Sequence, residues 1–197
     1  MTATTFYPAL NLQPQSDMTK LAAKQLRVSE PTKKDLKKID RNPIYLVLDE
    51  ILDTFNVGSM FRLADAVAAE KIYLCGKMET PPSSRIHKAA VGTENWVAWT
   101  AKSSAFKAVR ELKKKGVQII AVEQDKRSIP YKDLKPQFPV ALVLGHETKG
   151  ISKEVLNEAD VIVELPLLGI NKSFNVWGSA AVVAYKVLEF LTNEVTN

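Results

Sequence analysis

The segment that decides the fold runs from Val140 to Tyr185 and has the sequence VALVLGHETKGISKEVLNEADVIVELPLLGINKSFNVWGSAAVVAY. Its pattern predicts a strand, a glycine turn, a short helix, a second strand, a loop and a long helix. Both strands are continuous runs of aliphatic residues, which is typical of strands buried on both faces of a parallel sheet. Open α/β sheets bind their ligands at the carboxyl ends of such strands. The two loops, which contain Glu147, Ser173 and Asn175, are therefore a candidate site.

The rest of the chain continues this alternation and predicts an α/β domain from residue 43 to 197. A βαβ alternation of this length is typical of a mostly parallel sheet covered by helices. Strands are predicted at 44–48, 72–75, 96–99, 117–122, 140–144 and 161–165, and helices at 58–69, 103–115 and 176–191.

Residues 1–42 are predicted to form a basic helical extension of this domain. A first helix is expected after Ser16 and a second at Pro31, with Leu36 and Ile39 facing inward. Eight Lys and Arg side chains stand against four Asp and Glu in the first forty-one residues. Such a cluster suits RNA or another polyanion, because each phosphate contact releases counterions. A solvated helix face whose lysines only keep the protein soluble is the open alternative.

The amino-acid composition is that of a globular protein and argues against a membrane protein, a disulfide-rich protein or a metal-binding protein. The formal net charge is +5, and 46% of the residues are hydrophobic, as in ordinary globular domains. One cysteine, Cys75, and two histidines leave no internal disulfide and make a structural metal site improbable on ligand count. No apolar run approaches the roughly 18 residues of a membrane span, and the first residues lack a signal-peptide pattern. We therefore expect a cytoplasmic protein with no membrane segment and no metal.

The first loop, from Gly145 to Gly150, has two glycines at the spacing of a phosphate-binding loop. Ile151 stands where that loop requires a lysine, so a P-loop NTPase is disfavoured. Glu147 is either a functional carboxylate or an ordinary acid facing a helix dipole. His146 beside it is a candidate general base or an incidental loop residue.

A third loop is predicted at residues 56–58, before the first helix of the domain. Arg62 follows it in the second helical turn and either pairs with Asp65 or points to the strand-end crevice, where a guanidinium would stabilise an anion. Ser173 and Asn175 precede the last helix, so simple N-capping is the alternative to a role in the site.

Three motifs follow one another in these loops. They are Asn56-x-Gly58-x-x-x-Arg62, Gly145-x-Glu147-x-x-Gly150, and Leu165-Pro166-Leu167-x-Gly169 followed by Ser173-Phe174-Asn175-Val176. Together they resemble the ordered motifs of the SpoU/TrmH-type RNA methyltransferases, over roughly residues 44–190. The resemblance implies a Rossmann-like sheet with a C-terminal deep trefoil knot, S-adenosylmethionine as cofactor, a homodimer, and 2′-O-methylation of a ribose in tRNA or rRNA.

The resemblance also implies roles for individual residues. Arg62 is the expected catalytic residue with Asn56 as its motif partner, and Glu147, Ser173 and Asn175 complete the catalytic set. A sulfonium methyl donor is already activated, so an arginine that stabilises the developing alkoxide suits the reaction. The residues expected to bind the cofactor are Val122, Gly145, Leu165, Leu167, Ser173 and Phe174.

The sequence departs from the family pattern at the start of the last helix. Phe174 replaces the usual leucine, and Trp177-Gly178-Ser179 stands where members of the family carry small or aliphatic residues. Three other functions stay open. They are a catalytically silent knotted RNA-binding protein, a knotted methyltransferase that acts on a base nitrogen, and an enzyme that acts on a small nucleotide.

Overall fold

Seven strands form one parallel sheet in the computed structural model, which describes residues 30–193. The strands are β1 Asn42–Asp49, β2 Ala69–Cys75, β3 Trp99–Lys102, β4 Gln118–Val122, β5 Ile129–Pro130, β6 Val140–Gly145 and β7 Val161–Glu164. The helices are α1 Lys33–Leu36, α2 Thr54–Ala66, α3 Ser84–Ala90, α4 Ala105–Lys114, α5 Lys153–Glu158 and α6 Val176–Asn193.

The aliphatic runs of the central strands are buried on both faces, as the sequence predicts. In β1, Leu46 and Leu48 belong to a core beneath α2, α3 and α6, whereas Val47 belongs to a second core beneath α4 and α5. Strand β6 follows the same alternation, and all of its residues are buried. The prediction of a mostly parallel α/β sheet is confirmed.

The strand order brings the ends of three strands together. The sheet runs β3-β2-β1-β6-β4-β7-β5, so β6, β4 and β7 are neighbours. All pair in parallel, so their carboxyl ends lie at one edge of the sheet. The chain segments after Val122, Gly145 and Glu164 therefore meet there.

Two predicted elements are displaced. The helix predicted at 58–69 is α2, which begins at Thr54 with Asp53 as its N-cap, so the expected loop at 56–58 lies inside a helix. Gly58 instead lets α2 approach α3, because a Cβ at Gly58 would collide with the Ala89 side chain and the Ile86 carbonyl oxygen. Helix α3 was not predicted.

The strand predicted at 96–99 begins only at Trp99. Residues Thr93–Asn95 form a 3-10 turn, and Val97 is buried in the core. The Trp96 indole donates a hydrogen bond to Asp65 of α2 (2.8 Å). The apolar residues before Trp99 thus pack a turn onto α2, which explains why their pattern resembled a strand.

The basic extension is described only from residue 30. Helix α1 starts after Thr32, which forms a capping box with Asp35, rather than at Pro31. Leu36 is half-buried, but Ile39 is 37% exposed and does not face inward as expected. The helix predicted after Ser16 lies outside the described residues, and the boundary at residue 42 stays a prediction. None of the helices described is long and apolar enough to cross a membrane.

Candidate active site

The loop after β6 is a tight turn that requires glycine at both ends. Gly150 has a left-handed backbone (φ +68°), and its N–H donates to the His146 carbonyl oxygen (2.8 Å). A Cβ at Gly145 would overlap the backbone of Gly150 and Ile151. The two ends of the loop therefore pack closely against each other, which only glycine at these positions allows.

Two carboxylates fix this loop to the neighbouring strands. Glu123, just after β4, accepts a hydrogen bond from the Ile151 N–H at Oε2 (2.8 Å). Asp49, the last residue of β1, accepts one from the Ser152 N–H at Oδ2 (3.1 Å) and is buried. The loop is thus held from both sides, so its shape is set before any ligand binds.

Glu147 connects the loop to the start of α2. Its Oε1 accepts hydrogen bonds from the Asp53 N–H (3.0 Å) and from the Asn56 side-chain amide (2.9 Å), and its Oε2 accepts one from the Leu52 N–H (3.1 Å). Burial alone would raise the pKa of Glu147, but the hydrogen bonds from Asn56 and from backbone amides outweigh it and hold the pKa below its usual value. The side chain is therefore an ionised anchor for the helix that carries Arg62.

His146 has a structural part in the same loop. Its Nδ1 accepts hydrogen bonds from the backbone N–H groups of Thr148 (3.0 Å) and Lys149 (3.4 Å). The lone pair that a base would use at this nitrogen is occupied, which favours the interpretation of His146 as a loop residue.

A cavity of about 460 Å³ lies where the three strand ends meet. It brings together most of the residues predicted for the site, from the end of β4 to the start of α6. Those that line it are Val122, Gly145, Glu147, Leu165, Leu167, Ser173, Phe174 and Asn175.

The outer wall of the cavity is the irregular segment between β7 and α6. The Gln124 side-chain amide donates to the Lys172 carbonyl oxygen (2.9 Å), which ties this segment to the end of β4. Asn175 accepts the Trp177 N–H at Oδ1 (3.0 Å), so it caps α6 as the alternative interpretation predicts, and it also lines the cavity. The Phe174 ring lies over Gly178, where a Cβ would collide with it.

Arg62 lies outside this cavity within its own chain. It is exposed, and no hydrogen bond or ion pair holds it within residues 30–193. The predicted alternative, a pair with Asp65, is not formed, and the Asp65 carboxylate instead accepts a hydrogen bond from the Trp96 indole N–H. Asn56 is buried and also does not line the cavity, although Glu147 links it to the loop.

Sequence reasoning missed Glu123 and Gln124, which line the cavity and connect its walls. Their position directly after a buried strand is the same signal that identified the other loops, and it could have found them. Among the described residues, no cluster of three or more His, Cys, Asp and Glu side chains could hold a metal ion.

Known proteins share this fold. A family model described as the SpoU rRNA Methylase family matches residues 43–185. The A. aeolicus TrmH/SpoU tRNA modifying enzyme superposes with a TM-score of 0.72 over 83% of this chain and 84% of that one, at 24% identity.

Two curated relatives are similar in sequence. The tRNA (guanosine(18)-2′-O)-methyltransferase of Escherichia coli K12 is 28% identical over 71% of this chain and 60% of its own length. The 23S rRNA (guanosine-2′-O-)-methyltransferase RlmB of Ralstonia nicotianae is 28% identical over 78% of this chain and 61% of its own. The chain thus spans about three-fifths of the length of both.

Proposed function

The chain belongs to the SpoU rRNA methylase family, and on that basis we propose that it transfers a methyl group from S-adenosylmethionine to a ribose 2′-hydroxyl of tRNA or rRNA. The observation that carries the proposal is the cavity at the ends of β4, β6 and β7, built from the family's second and third motifs. Relatives named as ribose 2′-O-methyltransferases support the position of the methyl group, and because one acts on tRNA and another on rRNA, both substrates are included.

The cavity fits S-adenosylmethionine in size and in chemistry. At about 460 Å³ it falls in the range of small-molecule sites. Gly145 and Gly150 line the cavity, and the tight turn that presents their backbone groups there requires glycine, because a Cβ at Gly145 would collide with the backbone of Gly150 and Ile151. The residues that would hold the cofactor are Val122, Gly145, Leu165, Leu167, Ser173 and Phe174.

The chain's own residues supply alignment and charge stabilisation. S-adenosylmethionine, when bound, provides a methyl group that is already activated. Arg62 stabilises the negative charge that develops on the ribose 2′-oxygen, a task suited to a permanently charged guanidinium. Glu147 and Asn56 fix the first turn of α2 and so position the helix that carries Arg62. Ser173 and Asn175 lie on the wall of the cavity, where they could contact the cofactor and the ribose.

The active unit is a homodimer, in which the partner subunit's Arg62 completes the site. Arg62 does not line the cavity of its own chain, which supports a site that a second copy completes. Apolar side chains beside the cavity are strongly exposed, with Leu168 at 97% and Ile170 at 95%. Trp177 and Tyr185 continue this surface along α6. A surface of this kind favours association with a second copy.

The C-terminal part of the chain forms a deep trefoil knot. The order of the strands in the sheet supports the proposal of a knot. Strand β6 lies between β1 and β4, and strand β7 lies between β4 and β5, so each is inserted between strands that precede it in the chain. Helix α6 then returns to pack against α2. We also propose that the protein acts in the cytoplasm.

Transfer of labelled methyl from S-adenosylmethionine to unmodified bulk tRNA and rRNA tests this function. The wild type should label one of these RNA pools. Arg62→Ala should lower kcat by at least about a hundredfold, which is the usual cost of losing one group that stabilises an oxyanion. Arg110→Ala is the matched control, because it removes an exposed arginine from α4 on the opposite face of the sheet. Absence of transfer to any RNA, together with absence of cofactor binding, would contradict the proposal and favour a silent RNA-binding protein.

A further inference from the structure

A second concave surface lies on the far side of α2 from α6. Two cavities, of about 750 Å³ and about 420 Å³, adjoin each other there and share His87, Lys88 and Asn95. Trp99 lines the larger one and Trp96 the smaller one. We call this surface the α3 groove. It shares no lining residue with the cavity proposed for the cofactor.

The α3 groove combines aromatic walls with polar and cationic side chains. Trp96 and Trp99 are each half-exposed, and His87, Lys88 and Asn95 are exposed. Unpaired RNA bases are bound by stacking on such aromatic side chains and by hydrogen bonds to their edges, with cations near the phosphates. The groove therefore has the composition of a site for single-stranded RNA.

The backbone at the rim of the groove is strained. Val91 ends α3 in the left-handed region (φ 56°), which a β-branched residue rarely adopts, and it is 54% exposed. Gly92 follows with φ 92°. Backbone strain of this kind clusters at binding sites. Here the strained residue, Val91, lines the groove with its apolar side chain.

Lys88 is a free cation of the groove, because it forms no hydrogen bond or ion pair within residues 30–193. Two acids also line the groove, but Glu94 is buried and paired with His87, and Glu30 accepts a hydrogen bond from Asn95 (3.2 Å). The contact of Glu30 places residue 30 of the basic extension beside the groove. Helix α1 begins three residues later, and it carries Lys33, Lys34, Lys37 and Lys38.

The groove is connected to the proposed catalytic arginine through a single hydrogen bond. Trp96 donates to Asp65, which lies one helical turn after Arg62 on α2. This bond places the groove about one helical turn from Arg62, which forms no hydrogen bond or ion pair within residues 30–193. An RNA strand lying in the groove would therefore run near an unpaired guanidinium.

We propose that the α3 groove binds an unpaired segment of the RNA substrate and leads it to Arg62. This inference rests on the proposed function, because it assigns the surface that recognises the RNA of the same reaction. Stacking on Trp99 and Trp96 holds the bases, and Lys88 with the lysines of α1 contacts the phosphates.

Charge reversal in the groove tests the proposal with the full-length protein. Lys88→Glu should raise the KM for unmodified bulk tRNA or rRNA by roughly five- to tenfold in about 0.1 M salt, because it removes a phosphate contact. The kcat at saturating RNA and the Kd for S-adenosylmethionine should change by less than about twofold, because Lys88 lies outside the reaction cavity. Lys107→Glu is the control, since it makes the same change at an exposed lysine of α4 on the other face of the sheet.

Photocrosslinking locates the bound RNA directly. A single-stranded oligoribonucleotide substituted with 4-thiouridine should crosslink to the peptide that spans residues 84–99, and mass spectrometry of the digest identifies it. Crosslinks confined to other parts of the chain would overturn the proposal. Equal effects of Lys88→Glu and Lys107→Glu would also overturn it, as expected if a protein rather than RNA occupied the groove.

The two tests separate this inference from the proposed function. If the wild type methylates RNA but Lys88→Glu leaves its KM unchanged, the groove assignment fails and the methyltransferase proposal stands. If no methyl group is transferred but the oligoribonucleotide still crosslinks to residues 84–99, the groove stands and the proposed reaction fails.

Discussion

The substitution Glu147→Gln should destabilise the fold through the start of α2. Glu147 accepts three hydrogen bonds, and only 27% of its side chain is exposed. In glutamine one of the two acceptor oxygens is replaced by an NH₂ group, which cannot accept a hydrogen bond. If the two hydrogen bonds at Oε1 are kept, the Leu52 N–H is the donor that loses its acceptor. The two remaining hydrogen bonds become weaker, because their acceptor no longer carries a negative charge.

The magnitude follows from these contacts. A net hydrogen bond to a charged group contributes about 1.5–3 kcal/mol, and a neutral one about 1 kcal/mol. Allowing for partial exposure, the loss should be about 2–3 kcal/mol in the free energy of unfolding. For a chain of this size, that corresponds to a fall in Tm of about 4–12 °C.

The same account predicts a pH dependence. The pKa of Glu147 in the folded protein is lower than its usual value of 4.5. Its contribution to stability is therefore complete above about pH 4.5 and is lost as the pH falls through the folded pKa. The difference in Tm between the wild type and Glu147→Gln should stay constant from pH 7 to about pH 4.5 and shrink only as the pH is lowered further, through the folded pKa.

Thermal unfolding followed by circular dichroism at several pH values measures both effects. Glu70→Gln is the matched control, because Glu70 is exposed on β2 and makes no hydrogen bond or ion pair within residues 30–193. Equal Tm values for the two variants at pH 7 would refute the reasoning. A difference that did not shrink at any pH below 4.5 at which the protein still folds would refute the part assigned to the ionised carboxylate.

Three further substitutions test other parts of the molecule. Gly145→Ala should raise the Kd for S-adenosylmethionine by more than about tenfold in calorimetry, because its Cβ would overlap backbone, whereas Gly169→Ala, with open space around it, should not. Val91→Asn should raise the free energy of unfolding in urea by about 1 kcal/mol, since asparagine tolerates the left-handed region; an unchanged midpoint would contradict this. Leu168→Asp with Ile170→Asp should convert the proposed dimer to a monomer in light scattering, and a mass unchanged from the wild type would count against the proposed interface.

The sheet could be predicted because its signal is local in the sequence. The aliphatic runs that form β1 and β6 are buried on both faces, so any other structure would expose them. The 3-10 turn before Trp99 could not be told from a strand, because Trp96 and Val97 are apolar for packing against α2 and the core. The hydrogen bond from Trp96 to Asp65 joins residues that are far apart in the sequence, so the spacing of apolar residues along the chain cannot predict it.

The candidate site was predictable only in part, for a similar reason. Gly145 and Glu147 were found because they follow a buried strand in a loop with a recognisable motif. Glu123 follows a buried strand too, but it has no motif, and its part is visible only from its hydrogen bond to Ile151. The sequence also leaves open whether Asp65 pairs with Arg62, and only the structure shows that Asp65 contacts Trp96 while Arg62 stays exposed.

The position of the methyl group on the RNA tests the central claim most directly. RNA labelled by the wild type with S-adenosylmethionine would be hydrolysed in alkali and, in parallel, digested to nucleosides for mass spectrometry. The account predicts that the label stays in an alkali-resistant dinucleotide and in a 2′-O-methylated nucleoside, because a methylated 2′-oxygen cannot attack the adjacent phosphate. Label in alkali-sensitive mononucleotides that carry a methylated base would contradict it.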